Sequence, residues 1–480
     1  MISRICMSLT VITLLCAPAR LVAAGSDGGA APGLPAGAVL ESLWQYAADL
    51  ADPAMQGRLT GAPSGRPAEE YVEAAMRALP LEVRLQSVPF AVYNVRPPVA
   101  FELPAQGGQP ARAFAYVDDF REVDYSGAGD ASGELYFLGH GIDAPGLAPD
   151  PAPDLAGKIA VFLSGAPEGT APDLARLDRK LDYAWRLGAR AAVVVPSVKL
   201  AERLARAPKE AKMRALDGEY GFHPELHHPD LPAVFVHAHL VEVLTGKKTE
   251  ELAANPAPRP LGLSVRLQVN GNVYPEAASR NVIGVLPGSD PELAKEVVLI
   301  GAHYDHLGVG GDGRVFCGAA DNASGAAVVL EAARAFATCP ARPKRTLVFA
   351  LWCGEEQGLH GSKFYCNREP LFPLEDTKLM VQIDYLDDQY GPCVSNVTDA
   401  ELMQRFLSAA IAEKRVEVLD TQGQCASDDC SFLAKNVPAC RFIAYGEHHH
   451  QDTDTVASLS RDMLQKTADL VIEGIRNAAY

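Results

Sequence analysis

Histidines and carboxylates recur in the C-terminal half of this chain, and their types suit metal-dependent hydrolysis. A hydrolytic centre built on two zinc ions needs one imidazole and one terminal carboxylate for each metal, and a third carboxylate that bridges them. A further carboxylate must handle the proton of the attacking water. The candidates are His303 in GAHYDHLG, Asp321 in GAADNASG, Glu355 and Glu356 in ALWCGEEQGLHGS, Asp384 in VQIDYLD and His450 in HHHQDTDT.

Four of these segments end or directly follow apolar runs that predict buried strands. The runs are LIGAH, FALWCGEE, MVQID and FIAYGEHHH. Open α/β sheets place functional residues at the carboxyl ends of their strands, so segments that are distant in sequence meet in one crevice. The placement of the candidates is therefore part of the prediction.

Apolar runs alternate with amphipathic helical patterns from Ser279 to the C-terminus. This alternation predicts an α/β fold, with a mainly parallel mixed sheet sandwiched by helices. An N-terminal strand is expected in LEVRLQSVPF, at Leu81 to Phe90. Helices are expected over Val39 to Leu50, Ala68 to Leu79, Ala323 to Ala337, around Ser362, over Ala400 to Glu413 and over Ser460 to Ala478.

The character of the chain changes between Phe114 and Val269. Short β-rich runs appear there (GELYFLG, KIAVFL, AAVVVP and PAVFVH), with one amphipathic helix near Leu177 to Leu187 and Pro-rich joints. We interpret this block as a separate module inserted into the main chain. The expected division is residues 25–113 for the N-terminal part of the main domain, 114–270 for the insert and 271–480 for the remainder.

The first residues have the pattern of a secretory signal peptide, expected over residues 1–24. Arg4 precedes an apolar run from Ile5 to Cys16 that is too short to span a bilayer, and small residues before Gly25 offer a cleavage site. The protein is therefore expected to be secreted or periplasmic. A lipid anchor at Cys16 is disfavoured by the bulky Leu15, and no later segment is long and apolar enough to cross a membrane.

The amino-acid composition indicates a globular protein and argues against nucleic acid as its partner. The 480 residues are 48% hydrophobic and 21% charged, which is an ordinary globular balance. The formal net charge of −17 repels phosphate backbones, so nucleic acid is excluded as an expected partner. Eight of the ten cysteines lie between Cys317 and Cys440, which in an exported protein suggests disulfides, although buried free thiols are the alternative. Cys425 and Cys430 are close enough to form a small loop.

Each motif taken alone has an ordinary structural interpretation. His-x-Asp at a strand end is often a hydrogen-bonded pair, Asp-Asn before a helix is often an N-cap, and paired glutamates are usually solvated. The occurrence of all of them in order favours the metal hypothesis.

The motifs resemble those of the co-catalytic two-zinc exopeptidases. This family includes bacterial leucyl-type aminopeptidases, aminopeptidases S and Y, and glutamate carboxypeptidase II. The likeness covers about Ser279 to Tyr480 and the N-terminal GRLTG segment. The insert resembles, more loosely, the protease-associated domain of many members, through DLAGKIAVFL and GARAAVVVP.

The resemblance implies a role for each candidate. His303 and Asp384 would hold one zinc ion, Glu356 and His450 the other, and Asp321 would bridge the two. Glu355 would be the general base that passes a proton from water to the leaving amine.

The resemblance also suggests how the histidines divide. Asp305 is expected to orient His303. His450 is chosen among three adjacent histidines because Asp454 and Thr455 complete the family's H-x-x-x-D-T pattern, with His449 as the alternative. His306 and His360 are expected to be structural.

Three positions depart from the family pattern and affect the expected substrate. Asp429 and Cys430 replace a common histidine and aromatic residue, Gln382 replaces an asparagine, and Asp387 replaces a glycine.

The substrates are expected to be peptides or proteins. Acidic side chains, Asp428 and Asp429 among them, could bind a free α-amino group, whereas no basic cluster adjoins the motifs to hold an α-carboxylate. An aminopeptidase is therefore favoured. A carboxypeptidase of the glutamate carboxypeptidase type, a glutaminyl cyclase and an inactive binding protein are the alternatives. The sequence does not predict the oligomeric state.

Overall fold

The computed structural model describes residues 34–35, 37–123, 126–206, 213–215, 227–387, 391–421 and 424–480. The predicted signal peptide and Cys16 lie outside the described residues. In chain order the strands are β1 (Glu82–Leu103), β2 (Arg112–Ala113), β3 (Phe120–Glu122), β4 (Gly129–Phe137), β5 (Ile159–Leu163), β6 (Ala191–Val195), β7 (Met213–Ala215), β8 (Ala233–Val236), β9 (Arg259–Leu286), β10 (Val297–His303), β11 (Gly308–Val309), β12 (Val315–Phe316), β13 (Thr346–Trp352), β14 (Thr377–Leu386), β15 (Cys393–Ser395), β16 (Glu417–Leu419) and β17 (Ala439–Ala444). The helices are α1 (Leu40–Leu50), α2 (Arg66–Arg77), α3 (Leu177–Arg186), α4 (Val198–Arg206), α5 (Ala238–Thr245), α6 (Thr249–Ala254), α7 (Ser324–Ala337), α8 (His360–Asn367), α9 (Glu401–Ala412), α10 (Asp429–Leu433) and α11 (Arg461–Ala479).

The strands that carry the candidate ligands are neighbours in one sheet. Its order on this side is β16-β15-β17-β14-β10-β13-β9, and β17, β14, β10 and β13 run parallel. Strands β9 and β15 add antiparallel pairs to this parallel centre. The mainly parallel mixed sheet predicted from the apolar runs is confirmed.

Helices cover both faces of this sheet, which explains why its central strands are apolar throughout. One face packs against α1, α7, α9 and α11, with Phe336 and Phe406 in the core. The opposite face packs against α8 and α10 through Trp352, Tyr365 and Phe432, whose rings lie 5.4–5.9 Å apart. The sheet is therefore buried on both sides.

Two long strands carry the sheet into a second core. Strands β1 and β9 pair antiparallel from Glu82 opposite Val285 to Glu102 opposite Arg266. The first part of β9 then pairs with β4, and the order continues β4-β5-β6-β8-β3. Apolar side chains from these strands form the second core.

Residues 114–270 contain more helix than their sequence pattern predicts. Helix α3 is where it was expected, but α4, α5 and α6 were not predicted. The second core also includes Tyr93, Val95 and Phe101, which precede residue 114. The proposed division at residues 113/114 and 270/271 stays a prediction.

Cysteine pairing is local. Cys425 and Cys430 form a disulfide, while Cys317, Cys353, Cys366, Cys393 and Cys440 are buried thiols. Both interpretations of the cysteine pattern are therefore represented. Within the described residues, no helix combines the length and the apolar character needed to cross a membrane.

Candidate metal centre

The predicted ligands come together at the carboxyl ends of the parallel strands. His303 is the last residue of β10, Asp384 lies near the end of β14, and Glu355 and Glu356 follow β13. His450 lies in the loop after β17. This is the edge that the strand-end placement predicts for an α/β sheet.

One cluster is formed by His303, Asp321 and Asp384. Nε2 of His303 lies 3.1 Å from Oδ1 of Asp384 and 3.4 Å from Oδ1 of Asp321. All three residues are buried. Their ligand atoms are close enough to share one ion.

A second cluster lies on the other side of Asp321. Nε2 of His450 is 3.2 Å from Oδ2 of Asp321 and 3.1 Å from Oε2 of Glu356. Asp321 thus directs one carboxylate oxygen to each histidine. Nitrogen and carboxylate oxygen are ordinary zinc ligands, and each set combines one imidazole with two carboxylates.

Two other histidines border this second cluster. Nδ1 of His306 lies 2.7 Å from Oε1 of Glu356 but 3.9 Å from Oδ2 of Asp321. Nε2 of His449 lies 3.6 Å from Oδ2 of Asp321, and its ring stacks on that of His450 with centroids 3.9 Å apart. His450 is the histidine that approaches both carboxylates within 3.2 Å.

His306 was expected to be structural. It is fully buried, and it contacts Glu356, a partner that the sequence analysis did not predict. The spacing His303-x-x-His306 was the available signal. His360 is the first residue of α8.

The charges of the cluster favour cations. Burial raises the pKa of Glu355 well above its ordinary value; nearby His303 opposes the rise, and Asp384 and Glu356 add to it. Burial alone would also raise the pKa of Asp321, but hydrogen bonds from His303 and His450 hold it well below its usual range. Buried carboxylates are costly unless they are paired with positive charge or coordinate metals. The donor set therefore fits two divalent cations.

Glu355 lies beside the first cluster. Its Oε2 is 3.9 Å from Nε2 of His303. Its backbone N–H donates to Oδ1 of Asp305 at 3.2 Å. The Glu355 carboxylate therefore lies next to His303 and belongs to one of the groups that could hold a metal ion, together with His303 and Glu356.

Asp305 contacts both His303 and the Glu355 loop. Its backbone oxygen lies 3.3 Å from Nδ1 of His303, and its carboxylate Oδ1 lies 3.8 Å from that nitrogen. The backbone oxygen is thus the nearer partner of the imidazole. The expected orientation of His303 by the Asp305 side chain stays a prediction.

The turn that holds Asp321 is fixed by two neighbours. Asp454 accepts hydrogen bonds from the backbone N–H groups of Ala320 at 2.7 Å and Asp321 at 3.0 Å. The side chain of Asn322 donates to the backbone oxygen of Ile383 at 2.9 Å. The first contact joins the Asp321 turn to the loop that follows His450, and the second joins it to the strand of Asp384.

The His450 loop has its own anchor. Oδ2 of Asp387 accepts from the Tyr385 hydroxyl at 2.9 Å and from the backbone N–H of His448 at 3.2 Å. Asp387 is one of the departures from the family pattern. In this chain it contacts the segment that carries a candidate ligand.

The two predicted substrate-binding acids lie in the interior. Asp428 and Asp429 are both fully buried. Asp428 accepts from Gln382 at 3.0 Å, and Asp429 accepts from Asn396 at 2.7 Å. Burial raises the pKa of Asp428 to about 7, with His303 opposing and Asp305 and Asp384 adding to the rise. These internal partners favour a supporting role, and substrate contact stays a prediction.

The sheet places at its strand ends a cluster of histidines and carboxylates that could hold metal ions. Residues 281–475 match the model of Peptidase family M28. This segment contains the five candidate ligands and the candidate base, so the similarity to that family concerns the part of the chain that carries the candidate metal centre.

The chain is similar to several characterised proteins. It is 27% identical over 220 residues to leupeptin-inactivating enzyme 1 of Streptomyces exfoliatus, which covers 42% of this chain and 48% of the relative. It is 36% identical over 115 residues to carboxypeptidase Q of Bos taurus, which covers 24% of this chain and 23% of that protein. The matched stretches thus span about half of the first relative and about a quarter of the second.

The likeness of fold extends over nearly the whole chain. An aminopeptidase from Aneurinibacillus sp. strain AM-1 superposes with a TM-score of 0.57 and 21% identity, covering 92% of this chain and 94% of the other. At this identity the comparison concerns the fold.

Proposed function

We propose that this protein is a zinc-dependent exopeptidase, and specifically an aminopeptidase that removes N-terminal residues from peptides. The observation that carries the proposal is the position of Asp321 between two sets of donors. Its Oδ1 lies 3.4 Å from Nε2 of His303, and its Oδ2 lies 3.2 Å from Nε2 of His450. A carboxylate so placed suits the bridge of a two-metal centre.

The residues divide into two zinc-binding sets. His303 and Asp384 hold one Zn²⁺, Glu356 and His450 hold the other, and Asp321 is shared. When bound, the ions polarise the scissile carbonyl and lower the pKa of the attacking water. His306 fixes the orientation of Glu356 through its 2.7 Å contact.

Glu355 acts as the general base. Its carboxylate lies 3.9 Å from His303 and has a raised pKa because it is buried among other acids. A carboxylate outside the ligand sets can accept the proton of the attacking water and deliver it to the leaving amine, a contribution of about 10²–10⁴-fold.

The charge around the centre favours recognition of an amino terminus. Asp384, Asp387, Asp428 and Asp429 give this region a negative potential that attracts an α-ammonium group. The Aneurinibacillus protein of similar fold is described as an aminopeptidase.

A carboxypeptidase is the second candidate, because one relative is described as carboxypeptidase Q. A glutaminyl cyclase would differ from both peptidases in its product, and an inactive binding protein would release no product. We further propose that the protein is secreted or periplasmic, from residues 1–24, and that the inserted block is a protease-associated domain.

Purified full chain with measured zinc content should be assayed on Leu-, Ala- and Arg-arylamides beside N-acetylated peptides. Two zinc equivalents and hydrolysis of only the free N-termini support the proposal. Release of C-terminal residues from N-blocked peptides would replace it with a carboxypeptidase, and cyclisation of N-terminal glutamine with a cyclase. Zinc binding without any turnover would indicate an inactive binding protein.

A further inference from the structure

The N-terminal GRLTG segment, residues 57–61, lies against the metal centre although it contributes none of its candidate ligands. Arg58 and Thr60 are 0% and 2% exposed. Gly57 has a φ of +67°, and a Cβ there would meet the backbone oxygens of Gly308 and Phe316 at 2.4 and 2.5 Å. The segment is therefore in close contact with the short β11–β12 hairpin, which begins two residues after His306.

The guanidinium of Arg58 donates to backbone oxygens on both sides of the first ligand cluster. Nε donates to Tyr304 at 2.8 Å, the residue after His303. Nη1 donates to Cys317 at 2.5 Å and Nη2 donates to Gly318 at 2.7 Å, directly before the turn of Asp321. Nη1 also donates to Leu50, the last residue of α1, at 2.8 Å. One side chain thus connects the strand end of His303, the Asp321 turn and an N-terminal helix.

Thr60 contacts a different part of the centre. Its hydroxyl oxygen accepts the backbone N–H of Gly354 at 3.0 Å. Gly354 has a φ of +69° and directly precedes Glu355. The threonine therefore fixes the turn that presents the proposed base.

We propose that Arg58 and Thr60 are positioning residues with separate roles, Arg58 for the zinc ligands and Thr60 for Glu355. The inference rests on the proposed zinc exopeptidase function. The planar guanidinium serves four carbonyl oxygens at once, which a lysine ammonium with three donors and a different shape cannot reproduce. Outer partners of metal ligands typically change metal affinity or activity by about 10–100-fold when mutated.

Zinc affinity tests the arginine without any peptide substrate. In the full chain, Arg58→Lys should weaken zinc binding by about 10–100-fold, measured by competition with a chromogenic chelator. Arg121→Lys is the matched control, because Arg121 is equally buried (1% exposed) but lies in β3, at the opposite end of the sheet order from the strands that carry the candidate ligands. Unchanged zinc affinity in a folded Arg58→Lys protein overturns the role of Arg58. If this variant folds only at raised zinc, measured by circular dichroism, the role is supported; failure to fold at saturating zinc contradicts it.

Turnover tests the threonine. Thr60→Val should lower kcat by up to about 10²-fold with KM and zinc content unchanged, since the base is displaced but the ligands are not. Thr60→Ser retains the hydroxyl and should restore kcat. A normal kcat in Thr60→Val, or no rescue by serine, overturns this role. Wild-type protein that binds two zinc ions without hydrolysing peptides would refute the proposed function, and the Arg58 measurement would still stand.

Discussion

The sheet has two halves on either side of β9, and both contain buried parallel strands. They differ in the residues that lie at the strand ends. Around β10, β13, β14 and β17 the strand ends carry histidines and carboxylates that face one another. In the second half, the end of β5 is closed by Lys180, whose ammonium donates to the backbone oxygens of Leu163, Ser164 and Gly165 at 2.7–3.0 Å. The fold supplies the crevice, and the residue types decide whether it becomes a site.

Removal of the Asp321 carboxylate should have the largest effect, because it tests whether the strand ends of the first half form a metal centre. Asp321→Ala should lose both zinc ions and all measurable hydrolysis, because Asp321 is common to the two proposed ligand sets. Metal analysis by mass spectrometry and an arylamide assay measure the two effects. Asp462→Ala, at an exposed residue of α11 paired with Lys466, is the control. Two retained equivalents of zinc in Asp321→Ala would refute the bridge.

A substitution of Glu355, the proposed base, should reduce catalysis without changing metal binding. Glu355→Gln keeps the shape of the side chain but cannot accept a proton, so turnover should fall by about 10²–10⁴-fold with zinc content unchanged. Steady-state kinetics at saturating substrate measure this loss. Near-normal turnover would exclude Glu355 as the base.

Asp454 tests how far the site depends on residues beyond its ligands. Asp454→Asn leaves one carbonyl oxygen where two carboxylate oxygens accept the N–H groups of Ala320 and Asp321. Zinc affinity should fall by about 10–100-fold. Chelator competition gives the value, and an affinity equal to wild type would show that the turn holds its shape without this contact.

A substitution of Lys180 tests the half of the sheet that contains β5, and it should have the smallest effect on function. Lys180→Met leaves three backbone oxygens without their donor, so stability to urea should fall by about 1–3 kcal/mol. Zinc content and kcat should not change, because the residue closes a strand end in the inserted block. A loss of zinc in this variant would show that the two halves are coupled.

Much of the centre could be predicted because its members lie at the ends of continuous apolar runs. The apolar runs LIGAH and MVQID predict that His303 and Asp384 lie at strand ends, whereas their roles as ligands rest on the family resemblance. The contacts of Arg58 and Asp454 could not be predicted in the same way, because they join residues 133–260 positions apart. Helix α5 was missed because AVFVHAHLVEVL runs from a buried strand into a short helix without a change in apolar character.

The position of the metals is the most direct test of the central claim. Anomalous diffraction from crystals of the zinc-loaded protein, recorded at the zinc absorption edge, should show two peaks flanking Asp321. One should lie against His303 and Asp384, the other against His450 and Glu356. A single peak, or two peaks that do not share Asp321, would contradict the two-zinc centre.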